Sequence, residues 1–303
     1  MQVYASMTIH SYALQYLGWS TSLRHVTLNR GVHDARGAKL EMMKANEMPL
    51  NAPKHALILA AGVGSRLRPL TDLNPKPLIQ IHGTAILHNA LHNLGRVGVE
   101  QVTIVVGYRK EAIQEACGSR FGGVAIKYIE SPVYDRTGSA YSLWLARDAL
   151  VSGDHLLLEG DVFFEENVLR QLLISEEPDA AAVAPFGELM QGSAVLLSDL
   201  GFISEFRLKQ TARNLITDGP PLYKTMNLFR LSASTLRTEV VPALDDMIKA
   251  GATQAYTEEL LSYLVERQGL LLAAVRCDDL RWYEIDDADD LHTAERIFAK
   301  ADV

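Results

Sequence analysis

The chain has 303 residues, 48% of them hydrophobic, and a formal net charge of −8; that length buries a substantial core, and the acidic balance excludes the clustered Lys and Arg that nucleic-acid backbones demand. Its two cysteines, Cys117 and Cys277, cannot build a disulfide framework or a cysteine-rich zinc site and point to a reducing cytoplasm. No apolar run reaches the roughly 18–20 residues of a membrane span, and no basic-then-apolar leader opens the chain, so neither a span nor export is expected.

Residues 1–52 lack a sustained period and end in a small, Pro-containing stretch. Arg24, Arg30, Arg36, Lys39 and Lys44 outnumber Asp34, Glu41 and Glu47 there. The segment reads as an extension, either a loosely packed arm or an oligomer contact such as that of a homodimer, and Met42, Met43 and Met48 leave a later start open. Residues 53–303 read as one domain. Apolar runs at 56–60, 102–106, 124–129 and 155–159 have strand length, and several of them are expected to be buried on both faces. Between them, residues 86–97 form a helical stripe of Leu87, Leu91, Leu94 and Val97 with Thr84 as the candidate cap, and a second helix is expected over 139–150. A hairpin follows at 195–208, helices at 234–250 and 257–266, strands at 270–276 and 281–285, and a closing helix at 288–300. This order predicts an α/β fold, a Rossmann-like, mostly parallel but mixed sheet flanked by helices, with ligands at the carboxyl ends of its strands. No hexapeptide repeat is present to build a β-helix.

Residues 57–78, LILAAGVGSRLRPLTDLNPKPL, run from a buried strand into a small-residue loop and on to two cations. Gly62 and Gly64 let backbone N–H groups approach a phosphate. The loop matches neither a P-loop nor a dinucleotide fingerprint, and by itself it fits an ordinary turn equally well. Arg66 offers a forked, permanent charge, and Lys76 is stiffened between Pro75 and Pro77. Either alone also reads as a solvated surface cation; the combination with the loop is what singles them out.

Three carboxylates complete the pattern. Asp161 follows a buried strand, and Glu284 and Asp286, two apart, are expected on one face of a strand. Oxygen ligands of this kind suit Mg²⁺, although Asp286 could instead cap the closing helix. Asp287, Asp289 and Asp290 read as that helix's solvated first turn. Tyr141, Tyr223, Trp282 and Tyr283 could enclose an ammonium group or simply pack in the core, where Trp144 fits better. Lys224 and Asn227 could hold anionic oxygens, or Lys224 could protect a strand edge. His82 and His88 read as structural or surface residues, and no Ser/His/Asp or Cys/His constellation is evident.

Leu59 to Arg66 and Pro75 to Leu78 reproduce the L-A-A-G-x-G-[ST]-R and P-K-P-L motifs, and in them the chain resembles the nucleotidyltransferases of the nucleotide-diphospho-sugar type over residues 55–300. The resemblance implies that the glycine loop holds base and phosphates, that Arg66 and Lys76 neutralise a triphosphate, and that the segments of Asp161 and of Glu284–Asp286 supply Mg²⁺ ligands. Stretches 134–146, 223–232 and 282–291 are similar to cytidylyltransferases that act on phosphocholine or on aminoethyl- and hydroxyethylphosphonate. CTP and a small phosphorylated or phosphonylated acceptor are therefore the expected partners. Tyr141, Tyr223, Lys224, Asn227 and Trp282 are the candidate acceptor residues. Leu59, Ala60, Ala61, Gly62, Gly64 and the Gly107–Tyr108 turn are expected to line the nucleotide site, where backbone carbonyls could tell the amino group of cytosine from the oxygen of uracil; Ser139 joins them by resemblance. A sugar-1-phosphate uridylyl- or thymidylyltransferase and a catalytically silent nucleotide sensor are the alternatives.

Overall fold

Runs of four to six apolar residues are too short for stable helices, and with a period of two they bury both faces when helices cover each side. The computed structural model describes Pro49, residues 52–211, Arg213 and residues 220–299. The expected 1–52 extension lies outside the described residues, apart from Pro49 and Ala52.

The strands are β1 (His55–Ala60), β2 (Gln80–Ile81), β3 (Thr84–Ala85), β4 (Gln101–Val106), β5 (Arg120–Phe121), β6 (Val124–Glu130) and β7 (His155–Glu159) in the first half. Then follow β8 (Val162–Phe164), β9 (Ala180–Pro185), β10 (Gly192–Leu197), β11 (Ile203–Gln210), β12 (Tyr223–Leu231), β13 (Ala273–Arg276) and β14 (Trp282–Glu284). One ten-stranded sheet runs in the order β11-β10-β12-β7-β1-β4-β6-β5, with β9 on β12 and β13 on β9. The stretch β7-β1-β4-β6 is parallel. Strand β10 pairs antiparallel with β11 and with β12, and β12 with β7, so the sheet is more evenly mixed than the sequence suggested.

Side-chain alternation along β1 shows how the two cores form. Ala56, Ile58 and Ala60 point into a core covered by helices Ile86–Arg96, Lys110–Cys117 and Glu166–Leu173. Leu57 and Leu59 point into the opposite core, covered by Ser139–Leu145, Val241–Lys249 and Thr257–Gln268. Full burial of one such Leu or Ile contributes about 1.5–3 kcal/mol.

Some elements differ from expectation. Thr84 does not cap the helix at Ile86; it sits in β3 opposite Ile81, and Ala85 takes the cap position without a side-chain hydrogen bond. The helix expected over 139–150 breaks at Ala146 into Ser139–Leu145 and Arg147–Leu150. Helices Ala233–Thr235 and Val241–Lys249 are joined by a π-turn at Leu236–Val240. Strand β14 leaves the main sheet and pairs antiparallel with β8, Glu284 opposite Val162. That small ladder positions the site, because it lays the chain around Asp286 beside Asp161. Among the described residues no helix is long and apolar enough to cross a membrane.

Candidate active site

Strand β1 has β4 on one side and β7 on the other, all three parallel, so the connections leave in opposite directions and open a crevice at the carboxyl ends. The loop after β1 and the turn Gly160–Asp161 after β7 form its floor. Gly64 is left-handed, with φ of 64°, and a Cβ there would lie 2.7 Å from Lys76 Cβ, so glycine is required for the loop to lie over the lysine stem. The Thr71 hydroxyl donates to the Gly64 carbonyl at 2.9 Å and fixes the loop from below.

Four charged groups meet at the rim. Lys76 Nζ donates to Asp161 Oδ2 at 2.9 Å and to Asp286 Oδ1 at 2.8 Å. Arg66 Nη2 reaches the same Asp286 oxygen at 2.9 Å. The approach of Asp161 to Asp286 follows from the β8–β14 ladder, which ends with the Ile285 N–H donating to the Asp161 carbonyl at 2.9 Å. Burial alone would depress Lys76, but the Asp161 and Asp286 carboxylates outweigh it and raise its pKa. Burial works to raise Asp286, and Lys76 and then Arg66 overcome it, holding that carboxyl below its usual range. Asp287, not Asp286, caps the closing helix, accepting from the Asp289 and Asp290 N–H groups.

A second charged set lies beside the first. β12 carries an irregularity between Thr225 and Phe229, with Asn227 at a φ of 53°. It turns Asn227 Nδ2 toward Glu284 Oε1 at 2.9 Å, while Lys224 Nζ donates to Glu284 Oε2 at 2.6 Å. Lys224 is 3% exposed, so it is no edge lysine. Burial, reinforced by Asp161 and Asp286, pushes Glu284 up to about 7 although Lys224 pulls the other way. Among the described residues no group of three or more His, Cys, Asp or Glu side chains stands ready for a metal. The reason is visible: Lys76 bridges Asp161 and Asp286, and Glu284, expected as a third ligand, has both oxygens engaged elsewhere. Asp161 Oδ1 is buried and without a partner. Two carboxylates with one free oxygen fit a hard divalent cation that fills its shell with water and phosphate.

Two cavities meet here. One, of about 300 Å³, is lined by residues 59–62, 64–66, Lys76, Tyr134, 137–139, Ser142, 159–161, Tyr256 and Asp286. The other, of about 620 Å³, is lined by residues 191–193, 208–211, Lys224, Tyr256, Glu258, Glu259 and Glu284, together with Arg66, Glu159, Asp161 and Asp286. Arg66, Glu159, Asp161, Tyr256 and Asp286 form their common wall.

Other expected residues fall outside. Gly107 and Tyr108 line neither cavity; Gly107 packs under Ala61 and Tyr134, and Tyr108 braces the loop through its N–H to the Ala61 carbonyl and its hydroxyl to Thr71. Ser139 lines the first cavity, and its hydroxyl accepts from the Thr257 N–H at 2.8 Å. Tyr141 packs on Trp144 and Tyr223 lies under the Arg276 guanidinium; neither lines the two cavities. Trp282 is 6% exposed and touches only a smaller pocket beside Lys224 and Glu284. Tyr283 lines that same pocket, so two of the four aromatics expected around an ammonium group come together beside Lys224 and Glu284. His82 binds the Glu295 carbonyl and His88 stacks on Phe121, both structural. The sequence reading missed Glu159, Tyr134, Tyr256 and Glu258. A carboxylate closing a buried parallel strand was the available signal for Glu159. Burial first, then Glu258, Asp161 and Glu284, raises its pKa well above the usual carboxylate range.

Residues 55–189 match the nucleotidyl transferase family model. The chain is 34% identical over 251 residues, 83% of its length, to CMP-5'-(3-aminopropyl)phosphonate synthase of Streptomyces rubellomurinus, of which it spans 40%. It is 34% identical over 122 residues, 40% of its length, to 2-aminoethylphosphonate cytidylyltransferase of Lancefieldella rimae, of which it spans 48%. The fold is that of CTP:phosphocholine cytidylyltransferase from Streptococcus pneumoniae, with a TM-score of 0.66 at 20% identity over 80% of this chain and 98% of that one. The strand order thus agrees with the fold of that solved structure, and the loop after β1, with Arg66, Lys76 and Asp161, lies within the residues 55–189 that match the nucleotidyl transferase family model.

Proposed function

We propose that the chain transfers CMP from CTP to a small phosphorylated or phosphonylated alcohol or amine, of the phosphocholine, aminoethylphosphonate or hydroxyethylphosphonate type, releasing pyrophosphate with Mg²⁺ as cofactor. The observation that carries this reading is the common wall of the two cavities, where Arg66, Asp161 and Asp286 stand between a glycine-loop chamber and a second polar chamber. A nucleotide in the first and an acceptor in the second would meet at that wall. The names of the two phosphonate relatives support the cytidine and phosphonate parts of the reading.

The reaction is in-line attack by an acceptor oxygen on the α-phosphorus: the new O–P bond forms as the bond to the β-phosphate oxygen breaks, and pyrophosphate leaves with the electron pair. The attacking group is already anionic, since a phosphate monoester has a second pKa near about 6. No general base is needed. The obstacle is repulsion between anions, so the work falls to positioning and charge. Arg66 and Lys76 would turn from Asp286 and Asp161 to the phosphates, and Lys224 would meet the acceptor's anionic end. Backbone groups of residues 59–62 line the first cavity and suit recognition of the base. The family generally uses a divalent metal; held by Asp161 and Asp286, Mg²⁺ would supply charge neutralisation at the α-phosphate and the leaving pyrophosphate. Glu284 is not proposed as a ligand, because Lys224 and Asn227 hold it. Both cysteines are buried and free, which suits a reducing cytoplasm.

Pyrophosphate release tests the reading, with CTP, UTP, dTTP, ATP and GTP each crossed with phosphocholine, the two phosphonates and glucose 1-phosphate. CTP with a phosphonate or phosphocholine should turn over fastest. Turnover confined to UTP or dTTP with the sugar phosphate would replace the reading with the sugar-nucleotide one, and tight nucleotide binding without turnover would leave a regulatory subunit.

A further inference from the structure

We infer that Lys76 is the resident counter-ion of the metal-binding carboxylates, so that the divalent cation enters only when the nucleotide draws Lys76 away. The inference rests on the reading of Asp161 and Asp286 as metal ligands and adds an order of binding to it. One ammonium, 12% exposed, serves both carboxylates at 2.9 and 2.8 Å, and Arg66 shares the Asp286 oxygen at 2.9 Å. A cation using Asp161 and Asp286 together must exchange with that ammonium, because like charges a few ångströms apart in a half-buried site repel strongly.

The lysine is built to exchange its head and not its stem. Pro75 and Pro77 flank it, it opens the short turn Lys76–Leu78, and its Cβ and Cδ lie where a side chain on Gly64 would stand. The glycine loop therefore covers the stem and leaves the ammonium to swing between the carboxylates and the first cavity, which Lys76 lines. Triphosphate oxygens in that cavity give Lys76 and Arg66 new partners and release Asp161 and Asp286 in the same step. Asp161 Oδ1, buried and unpartnered, is the oxygen that the ammonium leaves unsatisfied and that an incoming cation takes up. Metal and nucleotide thus load as one unit, and the chain without nucleotide holds metal weakly.

The test uses the full chain without nucleotide and Mn²⁺ as probe, followed by the electron paramagnetic resonance signal of the free ion. Wild type should bind Mn²⁺ weakly, and Lys76→Gln should bind it at least about tenfold more tightly, since a positive competitor is gone. Lys76→Arg should stay near wild type. Adding Asp161→Asn to Lys76→Gln should abolish the gain, which locates the ion. Equal affinity in wild type and Lys76→Gln, or a gain that survives Asp161→Asn, overturns the inference. Should Lys76→Gln not fold, wild type alone decides: tight one-site binding without nucleotide overturns it, and weak binding supports it. The readout is independent of turnover, so a chain that transfers no CMP would sink the proposed reaction and leave this exchange standing.

Discussion

Lys76 and Asp161 touch each other, yet their removal should read differently in kinetics. If Lys76 stabilises charge that develops as the α-phosphorus is attacked, Lys76→Ala should lower kcat by on the order of 10² or more, the scale of one well-placed transition-state donor. A uniform binding contact would raise KM and spare kcat. Lys76→Arg should rescue in part, since the planar guanidinium keeps the charge but not the compact position. Asp161→Ala or Asp286→Ala should abolish turnover with the fold intact, because the Asp161 backbone carbonyl still accepts from Ile285; near-normal activity at saturating metal would remove the metal roles. His155 offers a prediction on stability. Burial, and after it His55, hold this ring below its ordinary 6.5 against the pull of the Gly153 carbonyl and Asp154. The native chain prefers the neutral ring, so its contribution is complete above the unfolded value of 6.5 and is lost as pH falls below it toward the lower folded value. Thermal melts from pH 7.5 to 5.5 should show the decline, and His155→Phe should flatten it.

At the scale of elements, the β8–β14 ladder and the irregular β12 decide which carboxylate does what. The sequence spacing put Glu284 and Asp286 on one strand face, but β14 ends at Glu284 and Asp287 already caps the next helix. The chain turns in between. Glu284 faces Lys224 and Asn227, and Asp286 faces Lys76 and Arg66. Period-two reasoning could not find this, because it assumes that a strand keeps its pleat, and the left-handed Asn227 breaks that of β12. The buried pair makes a stability prediction. Lys224→Met leaves Glu284 buried and unpaired and should cost about 3–5 kcal/mol, whereas Lys224→Met with Glu284→Met should recover most of it. Urea unfolding of both variants tests this, and an equal cost for the two would mean that packing, not charge, holds the region.

For the molecule as a whole, the legible part of the fold was the part set by local pattern: the four strands from 56 to 159, the stripe Leu87, Leu91, Leu94, and the helices at 234–250 and 257–266. The motif around Gly64, Arg66 and Lys76 was legible too, because the glycine and the prolines constrain the backbone independently and the two cations stand within that short stretch. Pairing between distant segments was not. β12 joins β7 across more than sixty residues, and β14 finds β8 from still farther, so beyond the hairpin read at 195–208 and seen as β10 and β11, neither the antiparallel half of the sheet nor the division of the crevice into two chambers has a local signature. Tyr256 reaches the common wall, and Glu258 the second cavity, only through that packing.

The placement of every lining residue supports a prediction about the extension. The described lining of both cavities runs from Leu59 to Asp286, and the described members of the cores on the two faces of the sheet begin at Ala52. The first strand starts at His55, and its edge is closed by Gln101 and His155 on its two neighbours. A chain starting near residue 51 therefore keeps the sheet, the glycine loop and the Asp161–Asp286 rim. Deletion of residues 1–50 should leave kcat for pyrophosphate release within about twofold, as expected for a change that removes none of the described groups proposed to act at the phosphates. Its melting temperature should change little. Sedimentation of the truncated and full chains, run beside the kinetics, separates the two roles open to the segment: a shift from dimer to monomer at unchanged kcat makes it an oligomer contact. Complete inactivation of a truncated chain that still melts cooperatively would mean that the extension supplies part of the site, and that the two cavities described here are an incomplete account of it.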